Sequence, residues 1–216
     1  MTPRETAFSK ETVLEAALSI VREKGWEKLT ARGIADRLKA SVAPVYSTFG
    51  SMESLQREIL QEARRLLEER TRESFTDQAF LNIGVGMVAF ARDESPLFRA
   101  LFHTRHPYTD ILEAIFASIL GTMKADPMLR LLPTASLERL LDNLGTYTLG
   151  LASAVVYGQV EDASNEEIIR HLRNAGNMMI FGEFSGTADS ESPENIKIWT
   201  RILKEKSIAL PIKEKS

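Results

Sequence analysis

The chain has no cysteine. Disulfides, thiol catalysis and thiolate metal sites are therefore excluded, and a reducing cytoplasm is the simplest location. No stretch approaches the roughly 18 uninterrupted apolar residues of a membrane-spanning helix, so no membrane partner is expected. The first residues, MTPRETAFSKE, lack the apolar core of a secretory signal. Alternating runs with hairpin turns, repeats and low-complexity tracts are missing, apart from a polar tail near 186–194. Neither a G-x-S-x-G elbow, an H-E-x-x-H helix nor a phosphate-binding loop occurs. The GVG of 84–86 lies inside a helical pattern with no strand before it. Enzymatic chemistry and a bound cofactor are not expected.

What is present is enough for a sizeable core. Of 216 residues, 44% are apolar and 26% charged, an ordinary soluble composition. The net charge of −3 is unevenly spread: residues 1–50 hold 8 Lys and Arg against 6 Asp and Glu, and the rest hold 19 against 24. Only the N-terminal piece, at +2, is compatible with a polyanionic partner.

The apolar spacing is helical almost throughout. Val13, Ala16, Ala17, Ile20 and Val21 form one stripe between a Ser9 cap and Gly25, a residue suited to a helix end. Thr30 caps a second helix through Leu38, and Ser41 a third to about Thr48. After Gly50-Ser51, Leu55, Ile59, Ala63, Leu66 and Leu67 carry a long fourth helix. Further helical segments are expected at about 76–91, 96–104, 108–124, 134–158, 165–184 and 194–206. The predicted architecture is all-α in two parts: a three-helix unit at 1–50 and a larger helical unit at 51–216.

Within the first part, residues 41–50 read SVAPVYSTFG. Two short helices joined by a tight turn match a helix-turn-helix, whose second helix enters the DNA major groove. Small side chains at Val42, Ala43 and Pro44 allow close approach to base edges and contact with thymine methyls. Pro44 is tolerated in a first helical turn, where its missing amide has no intrahelical partner anyway. Tyr46 and Ser47 offer hydroxyls to phosphates, which fix register without reading sequence. Leu38 and Phe49 are expected to plug the core beneath. Two packed helices with Tyr46 as a half-buried filler remain the plainer reading of the same spacing.

The order Gly25, Trp26, Thr30, Ile34-Ala35, Leu38, Ser41, Val45-Tyr46, Phe49, Ser51, Glu53, Leu55 closely resembles the N-terminal domain of TetR-type transcriptional regulators. The resemblance covers about residues 9–60. It implies a sequence-specific DNA-binding regulator, usually a repressor released by a small molecule. Thr30 and Arg32 would then touch the DNA backbone, with Arg32 also near a base. Ser41, Val42, Ala43, Pro44 and Ser47 would face the groove, and Tyr46 would hold a phosphate. Arg4 and Lys10 would belong to an arm adding electrostatic contacts. The sequence departs from the family where Lys39 replaces a frequent glycine, Thr48 a histidine and Met52 a lysine; Lys39 thereby becomes a candidate contact itself.

In that family the second domain dimerises through its last two long helices and holds an effector pocket. The interface expected here uses Leu140, Leu144, Leu151 and Val155 of segment 134–158 with Leu172 and Met179 of segment 165–184. Gly145, Gly150 and Gly158 would permit close helix approach. The pocket expectation rests on Phe75, Phe80, Met87, Phe90, Phe98, Phe102, Phe116, Met123 and Tyr147, with His103, His106 and Tyr108 orienting a polar group of an apolar or amphipathic effector. His103 and His106 are spaced as metal ligands often are, but no third ligand is evident, so no metal is expected. The expected partners are a palindromic double-stranded operator, a small effector and a second copy of the chain. The alternative is a helical architectural protein that binds DNA without sequence preference or effector.

Overall fold

The computed structural model describes residues 8–186; Arg4, the segment 194–206 and most of the polar tail lie outside the described residues. Nine α-helices and no strand make up the described residues. Helix α1 spans Lys10–Lys24 and starts as the spacing predicts, with the Ser9 hydroxyl accepting from the Thr12 amide at 3.2 Å. It ends at Gly25, whose φ of 86° suits a residue without Cβ. A single 3-10 turn, Trp26–Lys28, leads to α2 (Ala31–Leu38), α3 (Ala43–Phe49) and α4 (Met52–Thr71). Val13, Ala17, Ile20, Val21, Ile34, Val45, Phe49, Leu55 and Ile59 are buried together beneath these helices.

Helix α4 is where the two parts of the chain meet. Ser51 caps it through the Ser54 amide at 3.1 Å. Its buried residues, Leu55, Ile59, Leu60, Ala63 and Leu67, fall at helical spacing, each worth about 1.5–3 kcal/mol of transfer free energy for the larger side chains. The first of them pack in the N-terminal unit and the last against α5 (Ala79–Asp93), so one apolar core runs from Val13 to Leu172 without a break. The outer face of α4 carries ion pairs at helical spacing, among them Arg65 to Glu62 at 2.7 Å.

Helix α5 packs on α4, α8 and α9, and the run from Val85 to Ala91 is wholly buried. It starts three residues later than the spacing predicts. Buried Asn82 accepts from the Thr76 amide at 2.8 Å and donates to the Thr76 carbonyl at 3.0 Å, holding 76–78 as a turn. Helices α6 (Ser95–Phe102), α7 (Thr109–Ala125), α8 (Thr134–Val156) and α9 (Asn165–Ser185) follow the expected segments closely. A second apolar cluster, centred on Met123, Leu129, Leu137, Leu140 and Phe184, fills the junction of α7, α8 and α9. Among the described residues no helix is long and apolar enough to cross a membrane.

Candidate nucleic-acid interface

The turn between α2 and α3 is built by three local devices. Thr30 starts α2 by accepting from the Gly33 amide at 3.0 Å. Lys39 ends it in the left-handed region, φ 52° and ψ 43°, which lets the Ala40 amide reach back to the Ala35 carbonyl at 3.0 Å. Ser41 then accepts from the Ala43 amide at 3.3 Å, but α3 begins only at Ala43, after Val42. The expected Ser41 cap is corrected by one residue. Ser41 thus bonds the first residue of α3, while Val42 is the residue that stands at the cap position, with no side-chain cap bond.

Helix α3 presents two faces. Val45 and Phe49 are buried, while Val42 and Tyr46 are 42% and 47% exposed. The Ser47 and Thr48 hydroxyls both donate to the Pro44 carbonyl, at 3.3 Å for Ser47. Tyr46 is therefore no core filler: its ring stands on the open side of the helix beside Val42, Ala43 and Ser47. Arg32 and Lys39 are exposed on the same unit, and among the described residues neither has an ion-pair partner. Lys10 does. It is the first residue of α1, its ammonium lies 2.7 Å from Glu58 and 5.5 Å from the centre of the Phe49 ring, and it is not part of a free arm. Helix α1 is also tied to α2, where Arg37 pairs with Glu23 and donates to Ser19 at 2.8 Å.

Residues 13–59 match the sequence profile of the bacterial regulatory proteins of the tetR family. The matched segment runs from α1 into α4. Solved structures with the same helical fold include a TetR variant from Acinetobacter baumannii AYE in complex with minocycline, 17% identical, TM-score 0.54, covering 81% of this chain and 96% of that one. A protein of unknown function from Rhodococcus sp. RHA1 gives a TM-score of 0.60 at 17% identity, over 84% of this chain and 98% of that one. A TetR-like transcriptional regulator from the same organism gives 0.54 at 13% identity, over 86% and 98%. No curated protein matches the sequence. The tetR-family domain carries DNA binding and transcription regulation, and its helix-turn-helix is the unit described above.

Of the residues expected around an effector, Phe75, Met87, Phe90, Phe98, Phe102, Tyr108 and Tyr147 belong to the main core, and Phe80, Phe116 and Met123 to the second cluster; the Phe98 ring also meets that of His103 at 5.2 Å, and His106 stacks on Tyr108 at 5.8 Å. Phe90 and Phe98 are buried in the main core, and the half-buried Phe102 ring sits 5.0 Å from that of Phe98. Phe116 packs in the second cluster, and Tyr147 donates to the His171 carbonyl at 3.5 Å. Exposed His103 bonds Ser153 at 3.1 Å and the Tyr157 hydroxyl at 3.3 Å. His106 donates through Nε2 to the Leu101 carbonyl at 3.2 Å, leaving its buried Nδ1 without a partner. The two histidines thus serve different neighbours, and no group of three or more metal-ligating side chains occurs among the described residues.

A cleft lies instead between α4, α5 and α7, lined by Leu67, Glu68, Thr71, Ile83, Met87, Ile115, Ser118 and Ile119. Its interior volume of about 30 Å³ suits one water. At its rim the Glu68 carboxylate accepts from Arg64 at 2.6 Å. Nearer the DNA-binding unit, α4 and α7 are joined again. Tyr108, just before α7, donates to the Glu53 carbonyl at 2.8 Å; Arg57 lies over the Tyr108 ring and pairs with Asp110. That guanidinium holds the Asp110 carboxyl below its ordinary range.

Of the residues expected at a dimer interface, Leu140 and Leu172 are buried inside the chain's own core. Leu144, Leu151, Val155 and Met179 are half-buried. Sequence spacing had not singled out Met178 and Phe181 of α9, which are 70% and 43% exposed.

Proposed function

We propose that the chain is a sequence-specific transcriptional regulator that binds a palindromic operator as a two-fold homodimer. Residues 1–50 bind DNA, and 51–216 dimerise and take a small apolar or amphipathic effector. The observation that carries this reading is the exposed face of α3, with Tyr46 and Val42 open beside unpaired Lys39 and Arg32. An amphipathic helix normally buries its largest apolar groups, so an open Tyr46 on α3 and an open Val42 just before it suit a partner surface. Thr30 and Tyr46 supply neutral phosphate contacts and Lys39 a cationic one.

Two recognition helices must stand about 34–36 Å apart to enter successive major grooves on one side of DNA. A second copy packed on α8 and α9 supplies that spacing. Leu144, Leu151, Val155 and Met179 border the face, and Met178 is exposed on it. The effector enters between α4 and α7. Because the cleft holds only about 30 Å³, a larger ligand must part the two helices. Parting them loads the Tyr108–Glu53 and Arg57–Asp110 contacts at the start of α4, where the DNA-binding unit is attached. The effector's differential affinity for the parted and closed states sets how far it shifts DNA binding. Repression relieved by the effector is the usual mode of the family that the N-terminal residues resemble.

The test is selection of duplexes from a random-sequence pool by the purified full-length protein. Enrichment of an inverted repeat is the expected result. Retention of the pool with no enriched sequence would favour an architectural DNA-binding protein.

A further inference from the structure

Residues 40–52 contain no Arg, Lys, Asn, Gln, Asp or Glu. This is the stretch that forms the open face of α3, and the missing types are those that read three of the four bases in the major groove. Guanine is read by Arg or Lys, adenine by Asn or Gln, and cytosine by a carboxylate acceptor. Ser and Thr hydroxyls serve either sense of hydrogen bond and so discriminate little between bases, and here each makes a local bond. Ser41 accepts from the Ala43 amide at 3.3 Å, while Ser47 and Thr48 donate to the Pro44 carbonyl. What the face offers outward is alkyl surface: Val42 at 42% exposure, Ala43 exposed and the Pro44 ring half-exposed. In the major groove, the C5-methyl group of thymine is the base-edge feature that alkyl surface contacts favourably.

We infer that α3 reads its half-site through thymine methyl groups, with Val42 and Ala43 as the specificity-determining residues and Tyr46 positioning the helix on a phosphate. The inference rests on the proposed DNA-binding function and narrows it to one chemical feature of the ligand. It has a consequence for the operator: the base pairs beneath α3 are A·T pairs with thymines on the strand facing Val42 and Ala43. Guanines in the site would be read from outside α3, where Arg32 and Lys39 are exposed cations with no ion-pair partner among the described residues.

The experiment replaces thymine by deoxyuridine, one position at a time, in the duplex selected by the full-length protein. The exchange removes a methyl group and leaves every pairing edge intact. At the positions under α3, affinity should fall about fourfold per methyl, the fold-change expected for one buried carbon. Deoxyuridine elsewhere in the same duplex should have no effect. In Val42→Ser the penalty at the position facing Val42 should vanish; because Val42 is exposed, the variant keeps its fold. A selected site that tolerates deoxyuridine at every position, or that places only G·C pairs under α3, would overturn the methyl readout and leave the DNA-binding function standing. Failure to select any site would overturn both.

Discussion

Lys39 occupies a backbone conformation that favours glycine, φ 52°, at the turn that aims α3. Holding a side chain there costs on the order of 1 kcal/mol, and the chain retains a lysine whose ammonium has no ion-pair partner among the described residues. Strain kept at an exposed cation on a DNA-binding unit argues for a phosphate contact. Lys39→Gly should therefore raise unfolding stability by about 1 kcal/mol while weakening binding to all DNA. The slope of log K against log salt should become shallower by about 0.9 per protomer, or about 1.8 for a dimer. Urea denaturation and a salt titration read the two effects separately. Asp110 gives a second residue-level prediction. Its carboxyl is held below the ordinary value of 3.8, first by the hydrogen bond from Arg57. A lowered folded pKa adds stability above the unfolded value, and that stability is lost as pH falls through the folded one. The coupling between Arg57→Ala and Asp110→Ala in a double-mutant cycle should thus be constant from pH 8 to about pH 5, and should disappear on acidification below 3.8.

At the scale of elements, α4 and α5 touch backbone to backbone. A Cβ at Gly86 would lie 2.5 Å from the Arg70 carbonyl oxygen and 2.6 Å from the Thr71 Cα, so α4 itself would have to move. Gly86→Ala should cost about 1–3 kcal/mol in urea denaturation. A Cβ at Gly150 or Gly182 would meet nothing within 4 Å among the described residues. Alanine there should leave the fold intact or stabilise it by up to about 1 kcal/mol, and should weaken dimerisation if a second copy approaches at those sites. Much of this layout was legible in the sequence. The glycines and hydroxyl caps at Ser9, Gly25, Thr30, Gly50 and Ser51 act locally, so neighbouring residues suffice to read them. The start of α3 was misplaced by one residue: Ser41 does bond the Ala43 amide, but Val42 stands between it and the helix. Of the cleft, only Met87 was legible in the sequence. Aromatic residues draw the eye as pocket lining, yet Phe90 and Phe98 are the volume that fills the core, while the cleft is made of aliphatic residues with Glu68, Thr71 and Ser118. Leu140 and Leu172 illustrate the other limit. Periodicity marks a helix stripe as apolar but does not say which neighbour covers it.

At the scale of the whole molecule, one continuous core joins the DNA-binding unit to the helices behind it, with α4 common to both. Arg22 of α1 adds a two-point ion pair to Glu94, both bonds at 2.9 Å, fastening the units a second time. The DNA-binding unit therefore cannot reorient without disturbing packing around α4 and α6. That is the physical basis for coupling an event in the α4–α7 cleft to the position of α3 on DNA. The central claim is that paired α3 faces grip one side of an operator. Hydroxyl-radical footprinting of the selected duplex, with the wild-type protein and Tyr46→Glu, tests it most directly. Tyr46 is 47% exposed, so the substitution leaves the fold in place, which far-UV circular dichroism verifies. The account predicts two protected patches on one DNA face, their centres about 34–36 Å apart or a multiple of that, both lost in Tyr46→Glu. Uniform protection of unrelated duplexes, or an unchanged footprint in Tyr46→Glu, would contradict it.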